Sequence, residues 1–487
     1  MHYPSKKDFI KLSKKGNLIP VYKEIEADLE TPVSSFLKID EGEYSYLLES
    51  VEGEAKIARF SFLGANPSLI FKSKGRDIEI IENKRVRRFT TDSDPLAEIK
   101  KIMKQFKLVK VDGLPRFSGG LVGYLGYDMV RFFEDIPGKN PDDLKTPDSI
   151  FMLTDTLLIF DHVMHKIKIV SNAHIKGKAS AAYDEAVAKI EKISKMLLKK
   201  VLKEKERVMA AKKLAIKSNF SQKAFEDIVL KAKEYIKNGD IIQVVLSQRL
   251  EADLGKKDPF SIYRSLRSIN PSPYMYYLKF KNIRLIGSSP EIMVRCEERR
   301  IELRPIAGTR PRGRTEAEDI KLEKELLADP KEKAEHIMLV DLGRNDIGRV
   351  ADFNSVKVAE LMRIEKYSHV MHIVSDIVGK LSKSKDEFDL VRASFPAGTV
   401  SGAPKIRAME IIDELETLKR GTYAGCVGYF SFSGNIDTCI TIRTILVKNN
   451  KAYVQAGAGI VADSRPANEY RETLNKARAL IKAIEEA

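Results

Sequence analysis

Three glutamates, Glu335, Glu469 and Glu472, have the type and spacing to bind a divalent cation, and Glu291 and His372 have the chemistry to move protons. Glu335 stands in AEHIMLVDLGRND, Ala334 to Asp346, where a Glu-His pair leads straight into an apolar run. Glu469 and Glu472, in NEYRETLNKA, are spaced i and i+3 and so share one helical face. Carboxylates from two separate helices can make a Mg²⁺ site that leaves positions for water and ligand. The plainer alternative is an ordinary i, i+4 helix pair between Glu472 and Lys476. His369 and His372 lie in YSHVMHIVSDIVG. His372 shares strand parity with Val370 and Val374, which suits a hydrogen-bonded core histidine as well as a general acid or base. Glu291 follows Pro290 in GSSPE, and a carboxyl in a half-buried turn can have its pKa raised enough to donate a proton.

Around these residues stand segments suited to an anion. RPIAGTRPRG, Arg304 to Gly313, excludes an ordinary helix or a central strand, because its prolines fix φ and remove donors and its glycines permit unusual backbone shapes. Arg304, Arg310, Arg312 and Arg314 suit a small carboxylate-rich ligand, although a solvated basic turn has the same composition. FPAGTVSGAPK, Phe395 to Lys405, and QAGAGIV, Gln455 to Val461, read as tight small-residue loops, either anion cradles or plain turns. No GK[ST] and no strand-led GxGxxG occurs, which excludes a Walker or Rossmann nucleotide site. Arg443, in TCITIRT, is a charge inside a strand pattern and needs a partner if buried.

The elements that must position these groups are both strands and helices. The chain has 487 residues and 43% hydrophobic content, enough for two or more lobes. Residues 1–175 read as a mostly β lobe, with strands at Ser68 to Phe71, Asp77 to Glu82 and Thr154 to Val170, and a glycine-rich strand pair at Ser118 to Tyr127. Residues 176–217 read as a long solvated helical connector, and residues 218–487 as a second lobe. There, Ser221 caps a helix whose apolar stripe runs from Phe225 to Ile236. Strands are expected at Ile241 to Leu250, Ile283 to Ile286, Ile292 to Cys296, Gly425 to Phe432, Cys439 to Val447 and Ala452 to Ala456. Helices are expected at Ala317 to Leu327, Pro330 to Leu342 and Pro466 to Ile484.

The formal charge is +15, but the charges are mostly interspersed, as on a solvated surface. No zinc-finger spacing or RNP-like aromatic box occurs, which argues against nucleic acid. Cys296, Cys426 and Cys439 are odd in number and widely spaced, which suits a reducing cytoplasm better than a disulfide framework. No apolar run has transmembrane length, and the N-terminal segment lacks an apolar signal core.

Taken together the motifs resemble the chorismate-utilising enzymes, and among them the anthranilate synthase component I family. IPVYKEIEADLETPVSSFLKI and YLLESVEG carry the likeness in the first lobe. GDIIQVVLSQR, NPSPYMYYL, GSSPE, RPIAGTRPRG, AEHIMLVDLGRNDIGRV, YSHVMHIVS, FPAGTVSGAPK, GTYAGCVGYF, IRT, QAGAGIVADS and NEYRETLNKA follow in the family's order. The resemblance runs from about Ile19 to the C-terminus.

It implies an α+β fold of two antiparallel sheets packed orthogonally with helices outside, the first lobe woven into the second. It implies conversion of chorismate and ammonia to anthranilate and pyruvate through 2-amino-4-deoxyisochorismate, the first step of tryptophan biosynthesis. Glu291 would be the acid, assisted by His372 and Thr309. Glu335 and Glu472 would hold Mg²⁺, with Glu469 as a ligand or just behind one. Gly308, Thr309, Tyr423, Arg443, Gly457, Ala458 and Gly459 would hold chorismate. Ser50, Pro273, Tyr274 and Met275 would form a feedback site for L-tryptophan. Relatives that add water carry lysine where this chain has Gln243, and the para-aminobenzoate branch commonly has lysine where it has Ala307. Both positions favour the ortho-amino product, with aminodeoxychorismate synthase component I as the alternative. None of the three cysteines sits in a glutaminase elbow, so a separate glutamine amidotransferase subunit would supply ammonia in a hetero-oligomer. The expected location is the cytoplasm, with neither membrane nor nucleic acid as partner.

Overall fold

A computed structural model describes residues 1–51, 59–199, 213–367 and 370–487. Two antiparallel sheets of 12 strands each dominate it. The first runs in order through Leu18–Glu26, Lys166–His174, Thr156–Asp161, Phe60–Ala65, Tyr44–Glu49, Tyr274–Phe280, Ile283–Ser289, Thr444–Lys448, Lys451–Ile460, Gln243–Asp253 and Lys217–Ser218, with Gly402–Ala403 pairing beside Gln243. The second runs through Ile306–Pro311, Val370–Lys380, Arg300–Leu303, Ile292–Glu297, Ile436–Ile440, Cys426–Ser431, Gly120–Leu125, Ser149–Thr154, Leu69–Lys74, Asp77–Glu82 and Arg85–Thr90, with Lys357–Lys366 also paired to Val370–Lys380.

Each sheet therefore takes one half from the early chain and one half from the late chain. The joints are Leu48 opposite Tyr276 in one sheet and Gly123 opposite Gly428 in the other. Glycine at the second joint lets the flanking strands close up on it. A Cβ on Gly123 or Gly428 would collide with the carbonyl of Ile150 or Asp437. Tyr46, Tyr276 and Leu278 of one sheet share a buried cluster with Val122, Tyr124, Met152 and Tyr429 of the other. Burying each such side chain stabilises the sandwich by roughly 1.5–3 kcal/mol.

Helices cover the outer faces where their sequences carry caps and apolar stripes. Ser221 accepts from the Ala224 N–H and opens Gln222–Lys237, which buries Phe225, Ile228, Val229 and Ala232. The helix expected at Pro330 continues to Gly348, because His336, Leu339, Val340, Gly343, Asp346 and Ile347 keep one face buried. Pro466–Glu485 buries Ala477, Leu480, Ala483 and Ile484.

Several expectations change. Ser118 to Tyr127 is one strand followed by a 3₁₀ turn, not a strand pair, since its partners come from Cys426–Ser431 and Ser149–Thr154. The connector's helix, Ala179–Leu197, is not simply solvated, because it buries Tyr183, Ala186 and Ile190. Residues 200–212 of that connector and His369 lie outside the described residues.

Candidate active site

Glu291 sits between the strands Ile283–Ser289 and Ile292–Glu297, at the point where the chain leaves one sheet for the other. It is buried, not half-buried, with 7% of its surface exposed. Burial pushes its carboxyl up to about 8, while the Thr399 hydroxyl and the Ile306 N–H pull weakly the other way. Such a group is protonated at neutral pH and can act as an acid.

Ile306–Pro311 forms an edge strand paired with Val370–Lys380. Its register slips between Ala307 and Thr309, and the extra residue is Gly308 at φ +65°. Only glycine takes that shape without strain. The slip turns the Gly308 carbonyl toward His372, whose Nδ1 lies 3.0 Å away and 3.1 Å from the Thr309 hydroxyl. Burial lowers the proton affinity of His372, so the ring is neutral. The arginines of this segment do not wait for a ligand. Arg304 pairs with Asp376 and Glu365, Arg310 with Asp329 and Glu332, and Arg312 with Asp319. They brace the edge strand against its neighbours.

Arg443 is the cation left over. It lies in the break between Ile436–Ile440 and Thr444–Lys448, at φ +50°, and not inside one long strand. A left-handed arginine stores strain of roughly 1–3 kcal/mol. No carboxylate among the described residues pairs with its guanidinium, which donates to the Lys476 carbonyl at 2.8 Å. Burial lowers its proton affinity, and Tyr423 and Glu472 partly restore it. A buried guanidinium held this way suits an anionic ligand.

The floor is Lys451–Ile460. Gln455 to Val461 is thus strand almost throughout, and not the loop its small residues suggest. Their smallness serves close approach instead. A Cβ on Gly457 would come within 2.7 Å of the Tyr423 hydroxyl, and one on Gly459 would collide with the Gln243 amide. Ala458, between them, points into the buried cluster behind the strand.

The glutamates arrive on the two helices. Glu335 is half-buried and takes the Gln243 Nε2–H at 3.4 Å. Burial raises its pKa, and Glu332 and Glu472 raise it further. Burial likewise raises Glu469, with Glu472 adding to it and the Ser464 hydroxyl opposing. Glu472 pairs with Lys476 at 2.6 Å. Among the described residues no three such side chains converge as a complete metal cage. Glu335, Glu469 and Glu472 can at most supply part of a divalent ion's shell, with waters and ligand oxygens completing it.

Two residues stand out that the motifs did not single out for the site. Lys476 joins Glu472 to the Gly457 carbonyl, at 3.0 Å, and its charge reaches Glu291. Thr399, in the 3₁₀ turn Gly398–Val400, lies beside the Glu291 carboxyl. The i, i+4 spacing of Glu472 and Lys476 was legible; that the pair faces a site was not.

Ser50, Pro273, Tyr274 and Met275 meet elsewhere, around a cavity of about 60 Å³ at the joint of the first sheet. The Tyr274 hydroxyl donates to Asp437 at 2.8 Å, and Arg295 bridges both. The Ser50 hydroxyl and the Arg116 Nε are buried there without partners among the described residues.

Known proteins match this arrangement over its whole length. Residues 44–482 match the chorismate binding enzyme family. "Anthranilate synthase component 1" of Acetivibrio thermocellus is 53% identical, covering 100% of this chain and 99% of its own. The chain belongs to the anthranilate synthase component 1 family of chorismate-binding enzymes. Its counterpart from Aquifex aeolicus is also 53% identical, over 98% of this chain and 96% of its own. The crystal structure of anthranilate synthase component I from Streptococcus pneumoniae superimposes with a TM-score of 0.78 at 38% identity, covering 94% and 99% of the two chains. Among the described residues no helix is long and apolar enough to cross a membrane.

Proposed function

We propose that this chain converts chorismate and ammonia to anthranilate, pyruvate and water, through 2-amino-4-deoxyisochorismate, as the first step of tryptophan biosynthesis. What carries the reading is the buried Glu291, its carboxyl pushed up to about 8 by burial, together with His372 held through Nδ1 at the Gly308 carbonyl and a buried Arg443 that no described carboxylate pairs with. Chorismate is a dicarboxylate, so Arg443 with Tyr423 and Lys476 would hold one carboxylate against Gly457, Ala458 and Gly459. Glu335 and Glu472, with Glu469 beside them, would hold Mg²⁺, which when bound supplies positive charge for the ring carboxylate.

Glu291 protonates the C4 hydroxyl as its C–O bond breaks, and water leaves. The C2–N bond forms with ammonia, whose surplus proton goes to solvent. His372, with Nε2 free, then takes the C2 proton as the ring C3–O bond breaks and the ring becomes aromatic; the departing enolate takes a proton on its methylene carbon, becoming pyruvate, and His372 returns to neutral. Gln243 is neutral and cannot activate water, which favours ammonia as the nucleophile. Ala307 cannot attack the ring, which favours release of the ortho product. The described cysteines are free and buried, so ammonia would come from a separate glutaminase subunit. L-Tryptophan would bind at the Ser50 cavity and inhibit.

Purified chain mixed with chorismate, Mg²⁺ and ammonium at mildly alkaline pH should give anthranilate fluorescence, suppressed by L-tryptophan. Consumption of chorismate without anthranilate would overturn the reading in favour of a sister reaction.

A further inference from the structure

Glu291 must regain a proton before each new turnover, and little of it is exposed to bulk water. Behind it lies a cavity of about 30 Å³, walled by Leu339, Leu342 and Gly343 of the helix Pro330–Gly348. That is room for a water molecule, which stays in such a space only if polar groups hold it. The cavity's polar lining residues are Glu291, Thr399 and Asp346, with Arg304 and Ser394. Thr399 lies near enough to Glu291 to favour its charged form, yet its hydroxyl has no well-aligned partner among the described residues. It is a buried donor facing a cavity, and such groups are rarely left unmet.

Asp346 also lines the cavity. It is 5% exposed and is bound by Lys405 at 2.6 Å. Burial raises its pKa, Lys405 and Arg349 lower it, and Glu134 raises it again. Arg349 pairs with Glu134 at 3.2 Å, and half of the Arg349 side chain is exposed. Asp346 therefore adjoins a group that reaches solvent, Arg349.

We propose that Asp346, through water held in this cavity by Thr399, returns the proton that Glu291 gives to the leaving hydroxyl. This rests on Glu291 being the acid. The Glu291 carboxylate takes a proton from the cavity water, that water takes one from the Asp346 side, and solvent makes good the last transfer. No atom but hydrogen moves, and charge balances the proton lost by the incoming ammonia. Asp346 touches no substrate; it acts through Glu291.

Rapid-quench kinetics of the full chain with chorismate, Mg²⁺ and ammonium at neutral pH test this with Asp346→Asn. Glu291 begins protonated, so the first equivalent of chorismate should disappear at the wild-type rate. Later turnovers should be slower by about tenfold or more. Equal rates in the first and later turnovers, whether slowed or not, would overturn the proposal. If both are slowed, the residue is only structural. If neither is, the proton comes back from the new amine. Should the unpaired Lys405 prevent folding, D346N/K405Q keeps the contact without net charge and is read the same way. Glu291→Gln separates the two readings: normal turnover in that variant removes the acid itself, whereas a dead Glu291→Gln beside a burst-free Asp346→Asn removes only the relay.

Discussion

The Nδ1 of His372 lies 3.0 Å from the carbonyl oxygen of Gly308. A carbonyl only accepts, so Nδ1 carries the ring proton and Nε2 keeps its lone pair. The backbone slip at Gly308 thus sets which nitrogen of His372 can work as a base. His372→Asn keeps a donor for Gly308 and deletes Nε2. Its kcat should fall by ~10²–10⁴-fold with little change in KM for chorismate. Steady-state kinetics decide: a change confined to KM would make His372 a residue that holds the ring and not one that moves protons.

Glu291 makes stability and activity depend on pH in a defined direction. Its folded pKa, about 8, lies above the ordinary 4.5, chiefly through burial. Between those values the native state holds a proton that the unfolded chain has lost. Stability from this group is therefore greatest at low pH and falls as pH rises through that window. Glu291→Gln is neutral throughout, so its urea midpoint relative to wild type should climb from pH about 5 to about 9. At fixed free ammonia, wild-type turnover should decline above pH about 8 as the acid is lost. A midpoint difference that is flat with pH would mean that Glu291 is solvated in the folded chain.

The amphipathic helices and alternating strands were legible because period and caps are local properties. Asp77–Glu82 and the helix opened by Ser221 show this. The pairing of Leu48 with Tyr276 was not, because no local pattern says which strands meet over more than two hundred residues. The same limit applies at the site. The carboxylates and His372 carry recognisable chemistry, whereas Arg304, Arg310 and Arg312 look like ligand cations until their partners are seen. Arg443 read as a strand residue because Cys439 to Val447 is almost continuously β-prone; the break comes from a left-handed turn that its sequence does not announce. Gly457 and Gly459 read as loop residues because glycine weakens strands. Here the tight fit of Tyr423 and Gln243 against the strand demands them.

Glu335 gives the metal reading a test that does not need turnover. Its carboxylate is disfavoured first by burial and then by Glu332 and Glu472. Glu335→Gln removes that penalty, so without added metal the variant should melt at or above the wild-type temperature. Mg²⁺ at about 100 times its Kd should stabilise the wild type by about 2.7 kcal/mol, and the variant by much less. Calorimetric scans with and without Mg²⁺ decide. A variant that responds to Mg²⁺ as fully as wild type would remove Glu335 from the ligand set.

The cavity between Ser50 and Met275 is smaller than an indole needs. It holds about 60 Å³, whereas a cavity of about 150 Å³ is what benzene fills in a protein core. L-Tryptophan bound here must widen the cavity, whose wall includes the paired Glu49 and Met275. Tyr274 is paired with Ser289, and Ser289 lies two residues before Glu291. Widening the joint therefore moves the strand that aims the acid. Tryptophan and chorismate should each weaken the other's binding by one common factor, since coupling between two sites is reciprocal. Titration calorimetry of each ligand with and without the other measures both factors. Ser50→Phe, which fills the cavity, should raise the tryptophan concentration needed for inhibition by about tenfold or more. Equal tryptophan affinity with and without chorismate would break the link between this cavity and Glu291.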